Sequence, residues 1–432
     1  MYLCGKITPM EKSDCLYDAY LSILKEELVP AMGCTEPICL AYAAAKAREV
    51  LGNMPKRVVI EASGNIIKNV KSVVVPNTDG LKGLKASVAS GIVAGNAEKV
   101  LEVIAEVTPE QKQKIAQFLE NTLITIVPLD RIAQLDITVK LFDEEHYSAV
   151  RIAGHHTNIV AIEKDGKTLF EGRCSDTNAN MTDRSCLKVE KIYDFANSAD
   201  LADLKAVLEQ QITCNKAIAM EGLKNNWGVN VGSTLLRFGG NDIRQKAKAW
   251  AAAGSDARMS GCEMPVIINS GSGNQGMTAC LPVLAYADEY QIPEDRIYRA
   301  VALSNLVAIH QKTGIGRLSA YCGAVSAGCA AGCGIAYLMG ESLEIIEHTL
   351  ENALGMAAGI VCDGAKPSCA GKIALSVEAG ILGYEMSKQG DNLIGGDGII
   401  GKNVEETIDH IGCLGRLGMK ETDVEILKIM VE

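Results

Sequence analysis

The chain has 432 residues, enough for two or three domains and a large core, and its net charge of −11 with no basic run excludes an electrostatic nucleic-acid partner. Aromatic residues make up only 4% while Gly, Ala, Cys and Met are plentiful, so the core is built of small side chains that let helices approach closely. The 15 cysteines are odd in number and irregular in spacing, and the N-terminus MYLCGKITPMEKSDC is mixed and charged, so a disulfide framework is not expected and a reducing cytoplasm is.

Residues 13–52 carry two helical patterns, SDCLYDAYLSILKEEL and ICLAYAAAKAREVLG, interrupted by VPAMGCTEP. In that break Pro30, Gly33 and Pro37 bracket Cys34, Thr35 and Glu36, and Pro37 is suited to start the second helix. The positive helix end beside Cys34 predicts a lowered thiol pKa. Residues 1–55 are therefore expected to be helices that pack on a later catalytic domain.

Residues 56–172 change character. KRVVIEASGNIIKNVKSVVVP reads as two strands, GLKASVASGIVAG and TPEQKQKIAQFLE as helices, and LDITVKLF, YSAVRIAG and NIVAIEKDGKTLFEG as alternating strands with a hairpin at Asp165-Gly166. This predicts a smaller α+β domain with an antiparallel sheet. The polar stretch 173–200 reads as a linker.

Residues 201–432 read as a mostly helical catalytic domain broken by glycine-rich segments, so the fold class as a whole is α+β. From Leu318 to Met339 there is no charged residue, a span long enough for a bilayer. Its Gly, Ala, Ser and Cys content drives insertion weakly, and a buried helix without membrane contact is expected.

The polar candidates gather at the breaks. NSGSGNQG at 269–276 follows the apolar MPVII and precedes a helical pattern, so Ser272, Asn274 and Gln275 are candidates to hold a phosphate or substrate carboxylate; a ligand-free tight turn is the other reading. Lys366 in CDGAKPSC is a candidate Schiff-base lysine for pyridoxal phosphate, or a partner for a substrate carboxylate or an aspartate. His155 and His156 in GHHTN are adjacent acid/base or substrate-contact candidates, and Tyr321 and Arg317 are polar candidates beside Cys322.

Cys322, Cys362 and Cys369 are separated by forty and then seven residues, without the tight CxxC knuckles of a zinc ribbon. Three thiolates on separate helix ends suit a cubane iron–sulfur cluster with one open iron; buried cysteines acting as small hydrophobes are the alternative.

Together GCTEPICLAYAAAKA at 33–47, GSGNQG at 271–276, LSAYCG at 318–323 and VCDGAKPSCAGK at 361–372 resemble the L-cysteine desulfidase family, related to the α chain of iron–sulfur L-serine dehydratases. The resemblance covers nearly the whole chain. It implies a [4Fe-4S] cluster held by Cys322, Cys362 and Cys369, and Cys34 taking part in catalysis. It also implies breakdown of L-cysteine to pyruvate, sulfide and ammonia without pyridoxal phosphate. Within that frame Cys34 or Glu36 is the candidate base, Lys366 a further catalytic candidate, and Thr35 and His155 join Ser272, Asn274 and Gln275 as substrate contacts. The expected partner is a small amino acid, and a homodimer is left open. The alternatives are L-serine or another β-substituted amino acid as substrate, a pyridoxal phosphate lyase through Lys366, and a non-catalytic amino-acid-binding protein.

Overall fold

The computed structural model describes residues 10–129, 135–172, 181–240, 242–316 and 319–431. Arg317 lies outside them. The chain opens with α1 (Cys15–Glu27), the short strand β1 (Pro30–Met32) and α2 (Thr35–Leu51). A mixed unit follows, with β2 (Arg57–Ser63), α3 (Gly64–Val70), α4 (Gly83–Ala94), α5 (Pro109–Asn121), β3 (Leu123–Leu129), β4 (Asp136–Phe142), β5 (Tyr147–Ala153), β6 (Ile159–Lys164) and β7 (Lys167–Glu171). The remainder is helical apart from one three-residue strand. It comprises α6 (Val189–Ser198), α7 (Leu201–Lys224), α8 (Val231–Gly239), α9 (Ile243–Met259), β8 (Pro265–Ile267), α10 (Gly273–Tyr290) and α11 (Glu294–Ile315). Then come α12 (Gly323–Met339), α13 (Leu343–Ala357), α14 (Cys369–Gln389), α15 (Val404–Cys413) and α16 (Lys420–Val431). The architecture is α+β.

The six-stranded sheet has the order β3-β2-β4-β5-β6-β7. It departs from the expected antiparallel sheet at one edge, where β2 and β3 pair in parallel from Arg57↔Leu123 to Ser63↔Leu129. Helices α3, α4 and α5 lie between these strands and return the chain to the end where β2 began, as a parallel crossover requires. The other pairs are antiparallel. The hairpin between β6 and β7 forms where Asp165-Gly166 predicts it, both residues having positive φ (50° and 78°).

Helix α2 belongs to both halves of the molecule. Its Leu40, Ala43, Ala44 and Ala47 face the sheet with Val58, Ile60 and Val139, while Ile38, Ala41 and Ala45 join the larger helical core. A helix with apolar residues on two faces is buried on both. The segment read as a linker contains α6, whose Val189, Ile192, Phe195 and Ala196 recur at helical spacing and lie in the main core.

Among the C-terminal helices, α12 and α14 govern the geometry of the site. A Cβ on Gly328 would sit 2.5 Å from the Ser376 carbonyl carbon, and one on Gly332 would sit 2.4 Å from the Gly380 oxygen. Gly328 faces Ser376 and Gly332 faces Gly380 at a constant offset, so the two helices run parallel and in backbone contact. Their N-termini therefore lie side by side. The uncharged stretch expected to be buried is α12, and 15 of its residues are. Among the described residues no helix is long and apolar enough to cross a membrane.

Candidate active site

Four helices start around one pocket: α2 at Cys34, α10 at Ser272, α12 at Cys322 and α14 at Ser368–Cys369. None of the four has a side chain capping its first turn. Each helix start carries unpaired N–H groups and roughly half a positive charge. The pocket is also lined by Lys68, Arg258 and Lys312, and Glu36 is the one carboxylate among the lining residues. Helix ends and side chains together make this a site for anions.

Two of the three C-terminal cysteines are set by a bridge between Tyr321 and Val361. Cys322 N–H donates to the Ile360 carbonyl at 3.1 Å and Cys362 N–H to the Ala320 carbonyl at 2.7 Å. Residues 322 and 362 each stand one place from the bridged pair, so both side chains leave the same face of the ribbon. The two sulfurs share a hydrogen bond, which with the Gly364 N–H and the charges of Lys68 and Lys312 lowers the Cys362 thiol. The same bond and burial push the Cys322 thiol well up. Cys369, at the start of α14, accepts from the Lys366 N–H at 3.4 Å, and burial raises its thiol to about 11. All three line the pocket and none is in a disulfide.

Cys34 lies against them. Its Sγ is 3.8 Å from Met259 Sδ, and it packs with Val73, Ala365 and Cys369. The helix start predicted a lowered thiol pKa; instead burial raises it to about 12, outweighing the nearby Arg258 charge. At 2% exposure the thiol has lost the solvent that would stabilise a thiolate, and the half-charge of α2 does not replace it. Next to it, Glu36 accepts from Asn69 Nδ2 at 2.9 Å, and Thr35 Oγ1 lies 3.1 Å from Glu36 Oε2 and 3.0 Å from the Gly271 carbonyl.

The 269–276 segment is held by a buried amide network. Asn269 Nδ2 donates to Asn305 Oδ1 at 2.8 Å, Asn305 Nδ2 to Gln211 Oε1 at 2.8 Å, and Gln211 Nε2 to the Gly276 carbonyl at 3.2 Å. Ser270 and Gly271 take positive φ (49° and 80°), turning the chain into α10. Ser272, Asn274 and Gln275 line the pocket together with Thr35, Glu36 and Cys34.

Two expected site residues are placed elsewhere. His156 lines the pocket and His155 does not; both lie in the turn between β5 and β6. Lys366 is likewise absent from the lining: its Nζ turns to Ser72 Oγ at 2.9 Å and the Lys68 carbonyl at 3.4 Å. The lysines that do line the pocket, Lys68 and Lys312, stand in the last turns of α3 and α11 in sequences with no distinguishing motif. Arg258, in the last turn of α9, was equally invisible in ARMSGC.

A family model described as the serine dehydratase alpha chain matches residues 98–428. A UPF0597 protein of Desulfitobacterium hafniense is 58% identical over 423 residues, covering 98% of each chain. UPF0597 proteins of Lachnoclostridium phytofermentans and Treponema denticola are 50% and 43% identical, each over 96% of this chain and at least 98% of their own. The matched region takes in the amide-held loop, all three C-terminal cysteines and Arg258, and on that extent of likeness the chain belongs to the serine dehydratase alpha-chain family.

Proposed function

We propose that this member of a lyase family is an iron–sulfur-dependent enzyme that removes the β-substituent of a small amino acid, with L-cysteine as substrate. One observation carries the reading: three cysteine sulfurs meet four uncapped helix starts and three cationic side chains in one pocket. Three thiolates and a cluster are anionic, and this field lowers the cost of burying them.

The donor set fits a [4Fe-4S] cluster. Cys322 and Cys362, whose sulfurs share a hydrogen bond here, would part to take separate irons, with Cys369 on a third. Cys322, Cys362 and Cys369 are the proposed ligands, and when bound the cluster supplies a Lewis acid at its open iron. Pyridoxal phosphate chemistry through Lys366 gains no support from a lysine directed at Ser72.

The chain's own residues then divide the proton work. Glu36, held by Asn69 and beside Thr35, is the candidate to take the α-proton. Cys34 keeps its proton at Sγ in the buried pocket and is placed to give it to the departing sulfur. Loss of the α-proton and of hydrosulfide leaves aminoacrylate, and water converts that to pyruvate and ammonia. The family's own description favours L-serine as the second reading, with hydroxide leaving in place of hydrosulfide.

The test is anaerobic purification with iron and sulfide counted and pyruvate release followed from L-cysteine and L-serine side by side. Cys34→Ala and Glu36→Gln are expected to keep their iron and lose about 10²- to 10⁴-fold in rate, the usual worth of a positioned proton-transfer group. Alanine at 322, 362 or 369 is expected to lose both iron and activity. Pyruvate formation unchanged in all of these variants would sink the lyase reading.

A further inference from the structure

The guanidinium of Arg258 is 4% exposed and lines the pocket. Its Nε donates to the Gly33 carbonyl at 2.9 Å and its Nη1 to Asn274 Oδ1 at 3.1 Å. Both acceptors are neutral. Among the described residues no carboxylate pairs with it and its Nη2 bonds to nothing. Buried charges are ordinarily paired, because a bare one forfeits its hydration.

The surroundings sharpen the imbalance. A Cβ on Gly273, the first residue of α10, would stand 2.4 Å from Arg258 Nε and 2.8 Å from its Cζ, so glycine is required there for the guanidinium to lie against the helix start. Gly33 directly precedes the start of α2. A cation is thus wedged between two positive helix ends, where electrostatics favour an anion. Its place in the last turn of α9 offsets only part of this. The other candidates for pairing are engaged: Glu36 by Asn69 and Thr35, and Lys68, a competing cation, by Asp423.

We infer that Arg258 is the anchor for the substrate's α-carboxylate and thereby restricts the site to amino acids with a free carboxyl group. The inference rests on the lyase reading for the word substrate. The planar fork, fixed by Gly33 and Asn274 on one side, presents Nη2 and the second N–H of Nη1 for a two-point contact with a carboxylate. Amines lacking the carboxylate, amino-acid esters and amides leave the guanidinium unpaired and are rejected.

The experiment is calorimetric titration of the full-length protein, iron counted, with L-alanine, propionate and ethylamine, none of which has a leaving group. The wild type is expected to bind L-alanine and propionate and not ethylamine. Arg258→Gln is expected to weaken L-alanine binding at least ~10-fold, the worth of a charge-assisted hydrogen bond, while its melting temperature stays level or rises because a bare buried charge is gone. Where Arg258→Gln fails to fold, Arg258→Lys decides: keeping the charge and losing the fork, it is expected to bind L-alanine several-fold more weakly at unchanged iron content. Wild-type affinity in either folded variant, or ethylamine binding as tightly as L-alanine, overturns the assignment. Arg258-dependent L-alanine binding without pyruvate from either L-cysteine or L-serine would overturn the lyase reading and leave the anchor standing.

Discussion

Asp256 sits two residues before Arg258 on α9 and illustrates how burial alone moves a titration. It is 1% exposed, and its Oδ2 accepts from the Gly232 N–H at 3.0 Å at the start of α8. Its Oδ1 is buried without a partner, and burial raises the carboxyl to about 6 despite those backbone contacts. The folded state therefore holds the proton at a pH where the unfolded chain, near 3.8, has released it. Stability from this group is greatest below about pH 4, falls as pH rises towards 6, and is level above; the span is about 2–3 kcal/mol. Denaturant unfolding of wild type and Asp256→Asn across that range is expected to show their stability difference changing between pH 4 and 6 and flat on either side. A difference independent of pH would mean that Asp256 does not titrate in that window.

At the scale of elements, the parallel contact of α12 and α14 holds two of the proposed ligands level. Gly332→Val introduces a side chain where the Gly380 carbonyl already stands, 2.4 Å from the first added carbon. Overpacking of this kind costs about 1–3 kcal/mol and forces the helices apart. The expected result is a lower melting temperature together with fewer irons per chain, since Cys322 and Cys369 head the two helices. Full iron content at a reduced melting temperature would show that the cysteines tolerate the shift. The ribbon pairing of Tyr321 with Val361 acts separately, because it places Cys322 relative to Cys362 and does not pass through this crossing.

Across the whole molecule, the site draws on segments far apart in sequence, and its periphery is tied down by ion pairs as distant. Lys68 is 3% exposed and pairs with Asp423 on α16, while Lys71 reaches the Met430 carbonyl. Removing the acid leaves a buried lysine uncompensated. Asp423→Asn is expected to cost about 2–4 kcal/mol, somewhat less than a fully buried pair because Asp423 is 19% exposed. Thermal melts of this variant and of Lys68→Met, Asp423→Asn check it; recovery of stability in the double variant is the expected sign of an unpaired charge.

Sequence by itself determined what local chemistry dictates. The breaks at Cys34–Glu36, at 269–276 and around Cys322 and Cys362 are legible because proline, glycine and clustered small residues end helices wherever they occur. The α+β class, the hairpin at Asp165-Gly166 and the burial of α12 follow from periodicity and composition for the same reason. Tertiary structure decided the rest. That β3 returns parallel to β2 depends on the three helices that carry the chain back between them. That His156 lines the pocket while His155 does not depends on the course of the turn between β5 and β6. Lys366 turns away because Ser72 offers it a hydroxyl, and the Cys34 thiol is raised because the surrounding helices exclude water. Arg258 carries no signature at all: an arginine ending a helix is an ordinary surface residue until the starts of α2 and α10 close over it and leave its charge without a counter-ion among the described residues.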